Sequence, residues 1–251
     1  MAKFEAVTEK LSTIKWMDEG RASVIREVVQ KFDVEDILEI GFLHGKSSAY
    51  FAAIQEDRDK GHTVTIDLEK ARSFEPNIVD VLDSVELSHR VTPVFAHRSF
   101  TWELARMVSR EPRPQFDFCY LDGGKTWDLE ALAFFLIDML LKPGGLILFD
   151  DIYWSLEGSA DYRKAPEKYA QYDEDEIRSQ SIRMIWEKVV PHLGYTHVEL
   201  IERYQWGLAQ KPTTVAAGGV GRAPVVLDSR SSLFERWIWR TARQAKRRLR
   251  R

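Results

Sequence analysis

Two apolar runs that each end in aspartate constrain this chain most. They are "FDFCYLDGG" at residues 116–124 and "GGLILFDD" at 144–151. Runs of this length and composition predict buried strands of a parallel sheet. Two parallel strands deliver their terminal aspartates to one sheet edge, and in open α/β sheets ligands bind outside the carboxyl ends of the strands. Asp122, Asp150 and Asp151 would then lie close together. Three clustered carboxylates repel one another and resist desolvation unless a cation neutralises them. All-oxygen ligands with room for water suit Mg²⁺.

The remaining pattern supports an alternating α/β chain. Residues 4–32 read as helix, with Val24, Ile25, Val28, Val29 and Phe32 on one stripe. Strands follow at 36–41, 62–68 and about Val91–Ala96, with helices from about Ser47 and over 101–110. An apolar helix over 129–145 is closed by Pro143-Gly144-Gly145, and a further helix covers 181–194. Residues 155–180 are polar and aromatic without clear periodicity. The stretch 196–211 splits into two strands through Glu202–Tyr204, too close for a helical crossover and therefore antiparallel. The expectation is a seven-stranded, mostly parallel α/β sheet with an antiparallel last strand and helices on both faces.

A chain of 251 residues, 44% hydrophobic and 30% charged, can bury a real core. No apolar run reaches transmembrane length and the N-terminus lacks a signal-peptide segment, so a cytoplasmic protein is expected. The single cysteine, Cys119, excludes an internal disulfide and a Cys-rich zinc site, and its strand position predicts a buried small hydrophobe. The net charge of -3 is unevenly placed: residues 231–251 sum to +7, leaving -10 on the rest. In that segment Phe234, Trp237, Ile238, Thr241, Ala245 and Leu249 recur at helical spacing among arginines. A basic amphipathic C-terminal helix is expected there, behind a flexible Gly/Pro/Ala-rich linker at 212–230. Its candidate partners are an anionic membrane surface, the domain itself or a second copy in a homodimer, with nucleic acid ranked lower.

The first strand runs into a glycine turn and a helix, "LEIGFLHGKSSAYFA" at 38–52. Gly41 permits a tight turn and Gly45 lets a ligand approach the backbone. Ser47 offers a hydroxyl, and a helix N-terminus favours an anion. Asp67, at the end of the second strand, is placed to accept hydrogen bonds from a ribose. The glycine spacing alone is a weak signal, compatible with an ordinary βα turn.

The order "EIGFLHGKS", "TIDLEKA", "FDFCYLDGGK", "LKPGGLILFDD" resembles class I S-adenosylmethionine-dependent methyltransferases with the Rossmann-like methyltransferase fold. More narrowly it is similar to metal-dependent O-methyltransferases: the catechol and caffeoyl-CoA types, and the sugar enzymes of macrolide and aminocoumarin pathways. The likeness spans roughly residues 16–211, which sets a methyltransferase domain of 1–211. By that resemblance Glu39, Gly41, Gly45 and Ser47 hold the methionine part of S-adenosyl-L-methionine, and Asp67 the ribose. His97, Arg98 and Ser99 lie near the adenine, and Asp122, Asp150 and Asp151 bind Mg²⁺. Asp122 thus borders both cofactor and metal. Lys125 stands where the catechol and caffeoyl-CoA types carry a general-base lysine. The sugar enzymes instead place an acid at the position of Gly124, whereas the paired Asp150 and Asp151 match the sugar type. The acceptor is therefore expected to be a small diol, a sugar or glycoside ahead of a catechol. Tyr153, Trp154 and Trp127 are candidates to cover the site and stack on a ring.

Each assignment has a structural rival. Paired aspartates at a strand end can cap a loop, Asp151 above all. Lys125 on a loop can be a solvated charge, and Tyr153 and Trp154 can pack beneath residues 155–180. The functional rivals are a nucleic-acid-associated methyltransferase and a non-catalytic cofactor-binding scaffold recruited through the basic tail. The base-methylating signature Asn/Asp-Pro-Pro-aromatic is absent, "FDDIYW" standing in its place.

Overall fold

A computed structural model describes residues 2–214. The expected tail helix and all of the linker beyond Thr214 lie outside the described residues. Seven strands form one sheet in the order β3-β2-β1-β4-β5-β7-β6. They are β1 (Ile37–Ile40), β2 (Thr63–Leu68), β3 (Val91–Ala96), β4 (Phe116–Leu121), β5 (Leu141–Phe149), β6 (Thr196–Ile201) and β7 (Trp206–Gln210). β1 to β5 pair in parallel, and β7 runs antiparallel to both β5 and β6. The strand path runs outward from β1 to β3, then restarts on the other side of β1 with β4. The carboxyl ends of β1 and β4 therefore flank the switch point where α/β sheets bind ligands.

Alternating side chains feed two cores, one on each face. Phe118, Tyr120, Leu146 and Leu148 join one cluster, and Cys119, Leu121, Ile147 and Phe149 the other. The first face is covered by α1 (Lys3–Lys10), α2 (Glu19–Lys31), α3 (Lys46–Asp57) and α4 (Ile78–Ser84). The second is covered by α5 (Phe100–Val108), α6 (Trp127–Leu140) and the helical stretch Ser181–His192. Cys119 is fully buried, as its strand position predicts.

Two helical expectations are corrected, and a third is refined. Residues 4–32 are not one helix: α1 ends at Lys10, and α2 begins anew behind Asp18, whose carboxylate accepts from the Arg21 N–H at 2.9 Å. Between them Trp16 and Met17 take positive φ, which no helix continues. The apolar helix stops at Leu140 rather than 145, and Pro143–Gly145 fall within β5. The helix over 181–194 carries a π-helical turn at Ile185–Val189 just before Pro191, which has no N–H for the ladder. Residues 155–180 hold two short helices, α7 (Ala160–Lys164) and α8 (Glu174–Arg178).

Among the described residues no helix is long and apolar enough to cross a membrane.

Candidate active site

A cavity of about 710 Å³ opens at the switch point. Gly41, Ser47, Asp67, Asp122, Asp150 and Asp151 all line it. Glu39, Gly45, Ser99 and Lys125 do not, although each lies within or beside the loops that build its walls.

Gly41 closes β1 at φ +89°, and a Cβ there would lie 2.1 Å from the Asp122 carbonyl oxygen. Only glycine lets the β1 loop approach the end of β4 this closely. Gly45 caps α3 at φ +88°, where a Cβ would strike Ile78 of α4 at 2.5 Å. Asp67 holds the loop between these glycines. Its Oδ2 accepts from the N–H groups of Phe42 (3.0 Å) and Leu43 (2.7 Å), and its Oδ1 from that of Leu68 (2.6 Å). Oδ2 is filled by its two N–H partners, and Oδ1 keeps a lone pair for an incoming hydroxyl.

Glu39 is fully buried beneath this loop. Its Oε2 accepts from the hydroxyls of Ser48 and Thr65, the latter at 2.7 Å. Its Oε1 has no partner. Burial pushes the Glu39 carboxyl up to about 7, with the neighbouring hydroxyls pulling against it. Ser99 caps α5, accepting from the Thr101 N–H at 3.2 Å.

The acidic half follows from strand register. Leu121 pairs with Phe149, so Asp122 and Asp150 are the next residues on adjacent parallel strands and emerge side by side. The Asp150 N–H still donates to the Leu121 carbonyl at 3.0 Å. Asp150 accepts from the Tyr120 hydroxyl and, at 2.6 Å, from the Asp151 N–H. Tyr120 is fixed in turn by edge contacts with Phe51 and Trp206, with ring centroids 5.9 and 6.0 Å apart.

Lys125 turns its ammonium into this cluster. It is ion-paired to Asp122 and to Asp151, the latter at 2.9 Å. Its backbone has φ +65° and its N–H donates to the buried Glu130 carboxylate at 3.2 Å. Burial favours the neutral amine, but Asp122, Asp150 and Asp151 outweigh it and hold Lys125 protonated, well above the ordinary lysine range. Burial, with Asp150 and Asp151 beside it, pushes the Asp122 carboxyl up against the pull of Lys125. Burial likewise raises Asp150.

Among the described residues no group of three or more His, Cys, Asp or Glu side chains is arranged as a ready-made metal site. The positive charge in the cluster belongs to Lys125. The donor chemistry nevertheless fits a hard divalent cation, because Asp122, Asp150 and Asp151 offer only oxygen ligands and line one half-buried pocket with a single ammonium among them.

Several lining residues carry no sequence signal of the kind used above. Lys15, Trp16, Met17 and Asp18 enter the cavity from the α1–α2 connection, which the sequence pattern reads as helix, and Arg21 from the first turn of α2. The Asp18 cap was the readable clue. Lys46, at the start of α3, reaches across to the Ile14 carbonyl at 2.7 Å and ties this connection to the cofactor loop. Of the expected aromatic cover, Trp154 lines a second cavity. Tyr153 packs on the core with the Arg183 guanidinium 5.5 Å from its ring, and Trp127 is 39% exposed at the start of α6.

Residues 38–152 match the family model described as "Methyltransferase domain". No curated protein matches the chain. Among solved structures, the O-methyltransferase TomG from Streptomyces achromogenes, in complex with SAM, superposes with a TM-score of 0.58 at 18% identity. That match covers 84% of this chain and 90% of the other. An O-methyltransferase from Bacillus cereus, in complex with SAH, gives 0.58 at 19% identity, covering 84% and 90%. The chain is thus similar in fold to these O-methyltransferases, and residues 38–152 carry the match to a methyltransferase domain.

Proposed function

We propose that the chain transfers a methyl group from S-adenosylmethionine to a hydroxyl of a small diol, with a divalent cation at the acceptor end. The observation that carries this reading is the meeting, in one cavity, of the Gly41–Ser47 loop and Asp67 with the Asp122, Asp150 and Asp151 cluster.

When bound, S-adenosylmethionine supplies the methyl group: its S–C bond breaks as the acceptor O–C bond forms, and the hydroxyl proton leaves to a base. A divalent cation lowers the pKa of a hydroxyl bound to it and fixes its direction. Asp122, Asp150 and Asp151 are the residues that would hold it, and Mg²⁺ suits their oxygens. Asp67 and Ser47 face the cavity on the cofactor side, where the N-terminus of α3 favours the cofactor's carboxylate. Lys125 is the amine nearest the acids and the candidate general base. It is held protonated by its carboxylate partners and can accept a proton at Nζ only after passing its own to one of them or to solvent. The loop of Lys15, Trp16 and Met17 borders the same opening.

The test is methyl transfer from isotopically labelled S-adenosylmethionine to a panel of vicinal diols, catechols and glycosides, with Mg²⁺ and with EDTA. Transfer to a diol that EDTA suppresses is expected. Transfer to nitrogen acceptors alone would refute the reading. The basic tail over 231–251 would serve to hold the protein to an anionic membrane surface or to a second copy.

A further inference from the structure

One side chain already engages two of the three acids that would hold the cation. Lys125 Nζ lies 2.9 Å from Asp151 Oδ2 and contacts Asp122 Oδ1. Among the described residues no other Lys, Arg or His pairs with Asp122, Asp150 or Asp151. The Lys125 side chain is 15% exposed, against 34% for Asp122 and 42% for Asp151, so the lysine is the most shielded of the three.

The contact joins two strained backbone positions. Lys125 has φ +65° and Asp151 φ +55°, a left-handed conformation that residues with a Cβ hold only where their surroundings fix it. On the β4 side the Lys125 N–H donates to the buried Glu130 carboxylate at 3.2 Å. On the β5 side the Asp151 N–H donates to Asp150 Oδ1 at 2.6 Å, and the Asp151 carbonyl accepts from the Trp154 N–H at 2.8 Å. Both backbones are pinned independently of the ion pair. The ammonium can therefore leave the acids by turning its flexible four-carbon stem, with the loops in place.

Electrostatics decides how an ammonium and a divalent cation share these acids. Each carboxylate oxygen that accepts from the ammonium has one lone pair fewer for a metal. Whichever oxygens a metal takes, two positive charges a few ångströms apart in a half-buried pocket repel each other. The ammonium also does part of a cation's work: without it Asp122, Asp150 and Asp151 would repel one another unrelieved.

We propose that Lys125 is a resident counter-cation that competes with the divalent ion for Asp122 and Asp151. It holds the acid cluster together until the ion binds, and the ion displaces its ammonium, so that metal loading frees the amine for the acceptor. By linkage the antagonism is mutual: the hold of the acids on Lys125 weakens metal binding by the same factor as metal weakens that hold. The inference rests on the metal-dependent reading of the acid cluster.

The experiment is titration of the full chain with Mn²⁺, free Mn²⁺ being read by electron paramagnetic resonance, on wild type, Lys125→Met and Lys125→Arg. Lys125→Met removes the charge and keeps the stem, and should bind Mn²⁺ about tenfold or more tighter. Lys125→Arg keeps the charge and should stay close to wild type. Adding Asp150→Ala to Lys125→Met should abolish the gain, which places the bound ion at the acids. Thermal midpoints give a second reading: with EDTA, Lys125→Met should melt below wild type, and Mn²⁺ should raise it by more than it raises wild type. Calorimetric affinity for S-adenosylhomocysteine close to wild type confirms that the variants fold. Mn²⁺ affinity in Lys125→Met equal to or weaker than wild type overturns the competition and leaves the metal site standing, and a gain of the same size in Lys125→Arg does so too. Absence of Mn²⁺ binding from wild type and Lys125→Met alike overturns the metal reading, and the inference with it.

Discussion

The Lys125 ammonium lies 2.9 Å from the Asp151 carboxylate, joining the loop after β4 to the loop after β5. Asp122 completes the contact from the other side. The pair places a protonated amine where the acids call for a cation, and the predictions about the acceptor end turn on that arrangement.

Asp150 sits beside Asp122 by strand register and is held by Tyr120. Asp150→Ala should abolish Mg²⁺-stimulated methyl transfer while leaving the affinity for S-adenosylmethionine within a few-fold of wild type. Steady-state turnover and calorimetry on the same preparation check both halves. Undiminished turnover would remove Asp150 from the metal role.

Lys125→Met deletes the amine and keeps the apolar stem. The catalytic rate should fall by about 10²–10⁴, the usual worth of a positioned base, with cofactor affinity little changed. A rate equal to wild type across the pH range would eliminate Lys125 as the base.

Glu39 is buried with one oxygen unpartnered and its carboxyl raised from an ordinary 4.5 to about 7. The folded state therefore keeps this proton over a pH window in which the unfolded chain has lost it. The Glu39 contribution to stability is fully present below about pH 4.5 and is lost as pH rises through about 7. Glu39→Gln stays neutral throughout. Relative to wild type it should gain stability from pH 5 to pH 8, by an amount on the order of 3 kcal/mol. Urea midpoints at the two pH values measure the difference, and a pH-independent offset would contradict the buried-acid account.

Gly41→Ala combines a positive φ with a Cβ 2.1 Å from the Asp122 carbonyl oxygen. It should cost about 2 kcal/mol or more and weaken cofactor binding, because relief requires the β1 loop and the end of β4 to part. Denaturation midpoints and calorimetric affinities report the two effects separately.

Much of the sheet was legible because its strands are written as apolar runs closed by acid or glycine. β3 at Val91–Ala96 and the antiparallel turn at Glu202–Tyr204 fall where the pattern put them. Asp122 and Asp150 were findable for the same reason, since each ends such a run. What escaped lacks periodicity. α4 has only seven residues, and its start is fixed by the reciprocal hydrogen bonds of Asn77 and Asp80. The break between α1 and α2 depends on the positive φ of Trp16 and Met17, while the apolar stripe runs across it. The reach of Lys125 to Asp151 joins two loops through tertiary packing, which spacing along the chain does not encode.

The central claim is a cofactor site that stands without metal, beside an acid cluster that takes metal for the acceptor. Calorimetric titration of S-adenosylmethionine into the full chain, first with Mg²⁺ and then with EDTA, tests it most directly. The account predicts binding of similar affinity in both conditions. Absence of binding in both would contradict it.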